Sequence, residues 1–460
     1  MNQDNTNLGT LKISKLFRIY FFPTLFGMLA LCAVTATDGI FVGRGVGDEG
    51  LAAVNICIPP TMIIVGIGLM LGIGASVTAS IYYAKRKFEM SLLNISQALF
   101  SGTAVSIIFL AITLSMPCAT SKLLGSSNTL MPLVLDYLPW IFICCLFQVW
   151  CVIGLFVIRL DGSPKYAMWC NIIPGVMNVI LDYILIFPLD MGIKGAGIAT
   201  CISCMAGGIM VLTYLFILAN DLRLTKIFNI KLSLRSLHFA LRNIVLQCKI
   251  GISALLGEST MGILMFVGNW EFMKYLGDTG VGAFSIACYY CPFAFMIGNA
   301  IAQSAQPIIS YNYGINQSGR VRETERNAII TSGICGAVVT LIFIFLPGFL
   351  VSLFTNGDSE SAVIAEDGFP LFSMAFIFFI FNLTAIGYYQ SVEKVIPSII
   401  FALLRGAVFL IPYFILSPIF LGIKGLWLAL AFSEASTTVC ICMYYAINKA
   451  ACAHNNKKSE

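Results

Sequence analysis

Apolar runs of about twenty residues, each closed by a short polar break, recur along the whole of this 460-residue chain. At about 1.5 Å per helical residue, such a run matches the roughly 30 Å hydrocarbon core of a bilayer. The runs predict twelve helical spans, near 16–42, 52–83, 91–116, 131–158, 166–187, 193–219, 244–270, 279–312, 326–354, 363–390, 396–417 and 421–448. Several are longer than a bilayer requires, which implies tilt or extension into the aqueous phase.

The breaks repeat too. At a constant offset of 230 residues, Gly47-Asp48-Glu49-Gly50 falls on Gly277-Asp278-Thr279-Gly280, and Gly192-Ile193-Lys194-Gly195 on Gly422-Ile423-Lys424-Gly425. Pro188 falls on Pro418 and Asp136 on Glu366 at the same offset. Six spans per repeat put both halves the same way up, the parallel-repeat plan of transporters with a cavity between two bundles. The expected division is a first lobe at 1–219, a basic linker at 220–243 and a second lobe at 244–460. The linker is the longest polar connection and reads as an amphipathic piece along the membrane surface.

Composition makes the class secure: 58% of residues are hydrophobic, 11% are charged, and mean hydropathy is +0.90. A soluble domain of this size needs far more surface charge. The net charge of +5 is dispersed among the breaks, so no nucleic-acid partner is expected. Of the 27 Lys and Arg, 21 fall on the side shared by both termini and 5 on the other, with Arg405 inside a span. Under the positive-inside rule the termini are cytoplasmic, in an integral plasma (inner) membrane protein. The first fifteen residues are polar and lack the pattern of a cleaved signal, so the first run is expected to be retained. Sixteen cysteines lie mostly inside apolar runs, where Cys201 and Cys204 or Cys288 and Cys291 read as packing residues rather than zinc or redox pairs.

Candidate chemistry lies in polar residues embedded in the spans. Asn178 and Asp182 are four apart on one helix face of the fifth span, Asp38 lies late in the first, and Thr200 early in the sixth. All four reach the outer half of the membrane. A carboxylate there is expensive and by default functional. Two neighbouring carboxylates in low dielectric repel, so one holds a proton unless a cation replaces it. Asn178 and Thr200 would add neutral oxygens for a hard cation. The four residues read as a coupling site for Na⁺ or H⁺, with no other cofactor. A plainer reading stays open, with Asp38 capping a helix end and Asp182 pairing with backbone. The second half embeds Glu258, Arg405 and Glu434 near mid-depth. An Arg there calls for an acidic partner, and Glu258 is the candidate for the acid left free to attract a cationic substrate. No enzyme constellation is present: the paired Asp-x-x-x-Asp loops of an intramembrane prenyltransferase are absent.

These features resemble the multidrug and toxic compound extrusion (MATE) family, in its bacterial multidrug-efflux branch. The resemblance covers both halves. It rests on Asp38-Gly-Ile-Phe-Val-Gly43 with Ala52, Ala53 and Pro59, on Gln306-Pro-Ile-Ile-Ser-Tyr-Asn-Tyr-Gly314, on Arg405-Gly406 with Ile411 and Pro412, and on the paired Gly-Ile-Lys-Gly turns. It implies an all-α, polytopic, twelve-helix V-shaped two-lobe antiporter that exports lipophilic or cationic small molecules in exchange for Na⁺ or H⁺, and we expect it to act as a monomer among membrane lipids. The family's N-lobe cation site maps onto Asp38, Asn178, Asp182 and Thr200. On the seventh span the family's Gly-x-Pro is replaced by Gly251-Ile252-Ser253, which loosens the assignment of Glu258. The alternative is a lipid-linked oligosaccharide flippase of the same superfamily, which would want more basic charge in its cavity than the lone Arg405.

Overall fold

The computed structural model describes residues 8–229, 234–353 and 359–459. Among them the chain is helical throughout, with no strand. Eleven helices are long and apolar enough to cross a membrane. One of these, Leu241–Gly314, has 74 residues, about 110 Å of helix, too long for a single crossing. It breaks at Gly277 (φ 63°, ψ −155°) and so supplies both the seventh and eighth spans. The twelve expected spans are therefore present.

The first six are Ile13–Gly45, Asp48–Ala84, Phe88–Ser115, Met131–Leu160, Pro164–Ile186 and Gly192–Thr213, the last continued by a π-turn at Tyr214–Leu218. The seventh and eighth lie on either side of Gly277. The ninth and tenth are Ser318–Phe345 and Glu360–Ser391. The eleventh is Val395–Leu403 and Leu410–Leu421, joined through a π-turn at Leu404–Val408, and the twelfth is Ile423–Ser459. The ninth span corrects its expected limits of 326–354. Its helix starts eight residues earlier, because the charged stretch from Ser318 makes two helical turns ahead of the apolar run. It stops at Phe345, and Pro347 opens a separate short helix, Pro347–Ser352, at its first position. Within the 220–243 connection, Leu224–Asn229 is a 3₁₀ turn and the seventh-span helix is already under way from Leu234. The expected amphipathic surface of this linker rests on side chains at 227–240, which lie outside the described residues. The exit from the sixth span is tied down by Asp161, which accepts hydrogen bonds from Tyr214 Oη at 2.8 Å and the Asn220 amide at 3.2 Å.

The 230-residue offset survives in three dimensions. Phe88–Ser115 maps onto Ser318–Phe345, and the short helix opened by Pro117 onto the one opened by Pro347. Gly47 and Gly277 both have positive φ (88° and 63°), as do Gly192 and Gly422 (54° and 59°). That region costs an L-residue about 1–2 kcal/mol, so the paired glycines mark the same turn built twice. Arg86 and Asn316, also one offset apart, both stand at φ 58°.

By packing, the chain separates into two compact units. The first comprises Met1–Leu255, Gln303–Thr324 and Gln390–Glu393; the second comprises Leu256–Ala302, Glu325–Tyr389 and Lys394–Glu460. The second is built around an aromatic core in which Phe272, Phe284, Phe372 and Trp427 stack edge to face or in parallel. In the first, spans two and seven meet backbone to backbone. A Cβ on Gly74 would fall on the Gln247 carbonyl, and one on Gly251 on the Met70 carbonyl. Small residues at such crossings let helices approach where lipid supplies no hydrophobic drive. Gly74→Ala should therefore lower stability by about 1–3 kcal/mol, the usual cost of overpacking, measured as thermal unfolding in detergent. An unchanged midpoint would show that the crossing is slack.

Candidate functional site

Span five packs along span one on one side and span six on the other. The register between spans one and five is set by small residues. A Cβ on Gly175 would lie 2.7 Å from Val34 Cγ2, and one on Gly45 would overlap Ile186. Asp38 lies between Val34 and Gly45, and Asp182 between Gly175 and Ile186. The two carboxylates are therefore carried to one depth by the helix contact itself.

The carboxyl groups of Asp38 and Asp182 lie within hydrogen-bonding reach of each other. Asp182 is completely buried and Asn178 nearly so. The Asn178 amide nitrogen faces Thr200 Oγ1 at 3.5 Å, the outer limit of a hydrogen bond. Among the described residues Asp38 Oδ1 meets no protein donor, and Asp182 has the Asn178 amide beside it as a donor but makes no regular hydrogen bond. Carboxylate oxygens facing one another are all acceptors, so the pair is completed only by a proton or a cation between them. The charged or polar neighbours that act on the pair are each other, Asn178 and Tyr137, with no Lys or Arg among them. A donor set of two carboxylates, an amide and a hydroxyl fits a hard cation or H⁺. Among the described residues no three His, Cys, Asp or Glu side chains converge as a transition-metal site would require.

The structure brings all four candidate residues of the first half together. It adds Tyr137 on the fourth span, buried and within electrostatic range of both carboxylates. Nothing in the sequence marked Tyr137, since a tyrosine in an apolar run is ordinary.

The three charged candidates of the second half divide. Arg405 and Glu434 form a fully buried, forked ion pair: Nη2 to Oε1 at 2.8 Å, Nε to Oε1 at 3.1 Å and Nε to Oε2 at 3.3 Å. Asn382 donates to Glu434 Oε2 at 2.7 Å and accepts from Thr438. The guanidinium lies 4.3 Å from the Phe379 ring centroid, the geometry of a cation–π contact. The π-turn at Leu404–Val408 delivers this geometry: one extra residue in the turn re-aims Arg405, while Gly406 accepts the close approach of Thr260 from span seven. Glu258, half-buried on span seven, has no hydrogen-bond or ion-pair partner among the described residues. Asn382, a fully buried amide in the tenth span, is a polar signal of the same kind in the sequence.

Comparison with known proteins agrees with this geometry. The MatE family model matches residues 23–184 and 254–416, once in each half. The multidrug export protein MepA of Staphylococcus aureus strain N315 is 26% identical over 420 residues, which are 90% of this chain and 89% of that protein. An outward-facing multidrug resistance MATE family transporter of the MOP superfamily superposes with a TM-score of 0.89 at 20% identity, over 98% of this chain and 99% of that one. A mutant of the Vibrio cholerae MATE transporter VcmN superposes at 0.84 with 20% identity, over 95% and 97%. At such identities the superpositions speak for the fold, a two-lobe helical bundle, while the doubled family match runs through Asp38, Asn178 and Asp182 in one half and Glu258 and Arg405 in the other. With the fold, the repeat and both matches in register, this chain belongs to the MatE family, the multidrug and toxic compound extrusion transporters.

Proposed function

We propose that this protein is a secondary antiporter that exports lipophilic organic cations in exchange for Na⁺ or H⁺, with the coupling ion held by Asp38, Asn178, Asp182 and Thr200. The observation that carries the reading is the acceptor-only pair: two carboxyl groups within reach of each other, walled by apolar helices and given no basic partner. Two unit charges 4 Å apart repel by about 4 kcal/mol at an effective dielectric of 20, so a proton or cation between them relieves a large strain. An ion that binds there from one side and leaves to the other does work on the helices that carry the pair. In the second half, Arg405 is neutralised by Glu434, which leaves Glu258 as the acid able to attract a cationic substrate. The name of the S. aureus relative, a multidrug export protein, supports the substrate class. The excess of Lys and Arg on one face supports cytoplasmic termini in a plasma membrane, and we take the chain to act as a monomer among membrane lipids.

The test is dye movement in inverted membrane vesicles under Na⁺ and pH gradients imposed separately. One gradient should accelerate transport at least about tenfold over the rate without a gradient, within the ordinary range of site-to-site coupling, and thereby name the ion. Dye that moves under neither gradient would overturn the exporter reading.

A further inference from the structure

Three stretches far apart in sequence meet at the Lys- and Arg-rich end of the first unit: residues 8–11 ahead of span one, the end of span eight, and the start of span nine. Asn312, completely buried at the end of span eight, donates from Nδ2 to the Leu8 carbonyl at 3.0 Å and to the Ile308 carbonyl at 2.8 Å. Its Oδ1 accepts from Arg320 Nε at 2.9 Å. Arg320 Nη2 donates to the carbonyls of Leu8 and Leu11 at 3.0 and 2.8 Å. Leu8 and Leu11 precede the first helical residue, Ile13, so their carbonyls have no place in the helix ladder and need partners from elsewhere. The Leu8 side chain is itself buried, 4% exposed, which seats the segment as well as bonding it. The guanidinium holds the two carbonyls by charge-assisted bonds, and Glu323, one turn on, is the nearby acid that acts on it electrostatically.

This arrangement is not an outcome of the repeat. The counterparts of Asn312 and Arg320 in the first half are Tyr82 and Met90, which cannot make these bonds. The counterpart of residues 8–11 lies within the continuous helix that leads into span seven. The contact is thus built for span one alone, and span one is the helix that carries Asp38. It runs unbroken from Ile13 to Gly45, so about 38 Å of helix joins the contact to the carboxylate.

We propose that Arg320 and Asn312 form a latch that anchors the start of span one to the end of span eight and the start of span nine, so that ion occupancy at Asp38 and release of this anchor are one event. The proposal rests on the antiporter reading for its ion and its direction. Arg320 and Asn312 are positioning residues: neither touches the ion, and both act through span one.

The test uses the full-length protein in proteoliposomes with two readouts: gradient-driven dye transport, and hydrogen–deuterium exchange of the 8–20 segment with and without the coupling ion. In the wild type, exchange in 8–20 should respond to the ion. Arg320→Gln should raise that exchange, abolish its response and cut driven transport about tenfold, a typical coupling loss, with the half-saturating dye concentration unchanged. Arg320→Lys, a point charge without the fork, should fall between. Exchange and transport at wild-type levels in Arg320→Gln would overturn the proposal, and so would faster exchange with transport and its ion dependence intact, the mark of a plain anchor. Should Arg320→Gln fail to fold, removal of residues 1–11 deletes the same contacts, and full ion-dependent transport by that variant would equally overturn it. Wild type that moves no dye under either gradient refutes the antiporter reading instead, and the ion response of exchange in 8–20 then decides the latch alone.

Discussion

Asp182→Asn should reduce gradient-driven dye transport roughly a hundredfold, near the upper end of coupling free energies between protein sites, while the protein folds normally. The two halves of this expectation come from the same geometry. Asp182 is completely buried, and among the described residues neither of its oxygens makes a regular hydrogen bond. An asparagine of the same shape removes one charge and offers an N–H to Asp38 Oδ1, which has no donor among the described residues. The site is then satisfied without any ion, and exchange of one ion for another has nothing left to work on. Stability should hold or rise, because an unpaired buried carboxylate is a cost. Initial rates in inverted vesicles, paired with a thermal unfolding curve, check both halves. A variant that retains half of the wild-type rate would show that the pair is structural.

Glu434→Gln should produce the opposite profile, a loss of stability of about 3–5 kcal/mol, the cost of breaking a buried ion pair by removing one partner. Arg405 is 1% exposed, its Nη1 has no hydrogen-bond partner among the described residues, and the Phe379 ring lies against its guanidinium. An amide cannot neutralise it, and at this depth water cannot either. Asn382, which donates to the same carboxylate, would also lose its charged acceptor. The control is the double replacement Arg405→Met with Glu434→Leu, which removes both charges and should recover most of the loss. Thermal unfolding in detergent distinguishes the two. A single variant within about 0.5 kcal/mol of wild type, the range of a neutral surface change, would mean that Arg405 finds compensation elsewhere. The comparison matters for function, because it separates the acid committed to the fold from Glu258, which has no partner among the described residues.

How far the sequence could be read depended on whether the deciding physics was local. The twelve spans, the break at Gly277 and the four repeated glycine turns follow from run length and from dihedral needs that a few consecutive residues settle. The ninth span differs from its expected limits because run length in hydropathy does not report that the charged residues from Ser318 are good helix formers, or that Pro347 restarts the chain. Asp38, Asn178, Asp182 and Thr200 stood out because polar groups in apolar runs are costly, and a similar depth followed from counting residues.

What only the tertiary structure decided was who meets whom. Arg405 required an acid, yet Glu258 and Glu434 lay at similar depth, and the choice of Glu434 depends on a π-turn and on the approach of span seven at Gly406. Tyr137 joined the carboxylates through the packing of four helices, with no mark of its own in the chain. The bonds from Asn312 and Arg320 to Leu8 and Leu11 span some three hundred positions and obey no periodicity. The sequence by itself determined where the chain crosses an apolar layer and which groups such a layer makes expensive, because both are properties of short segments. Which expensive groups are neutralised, shared or left free is a matter of distances of a few ångströms between helices, and those exist only once the bundle is packed.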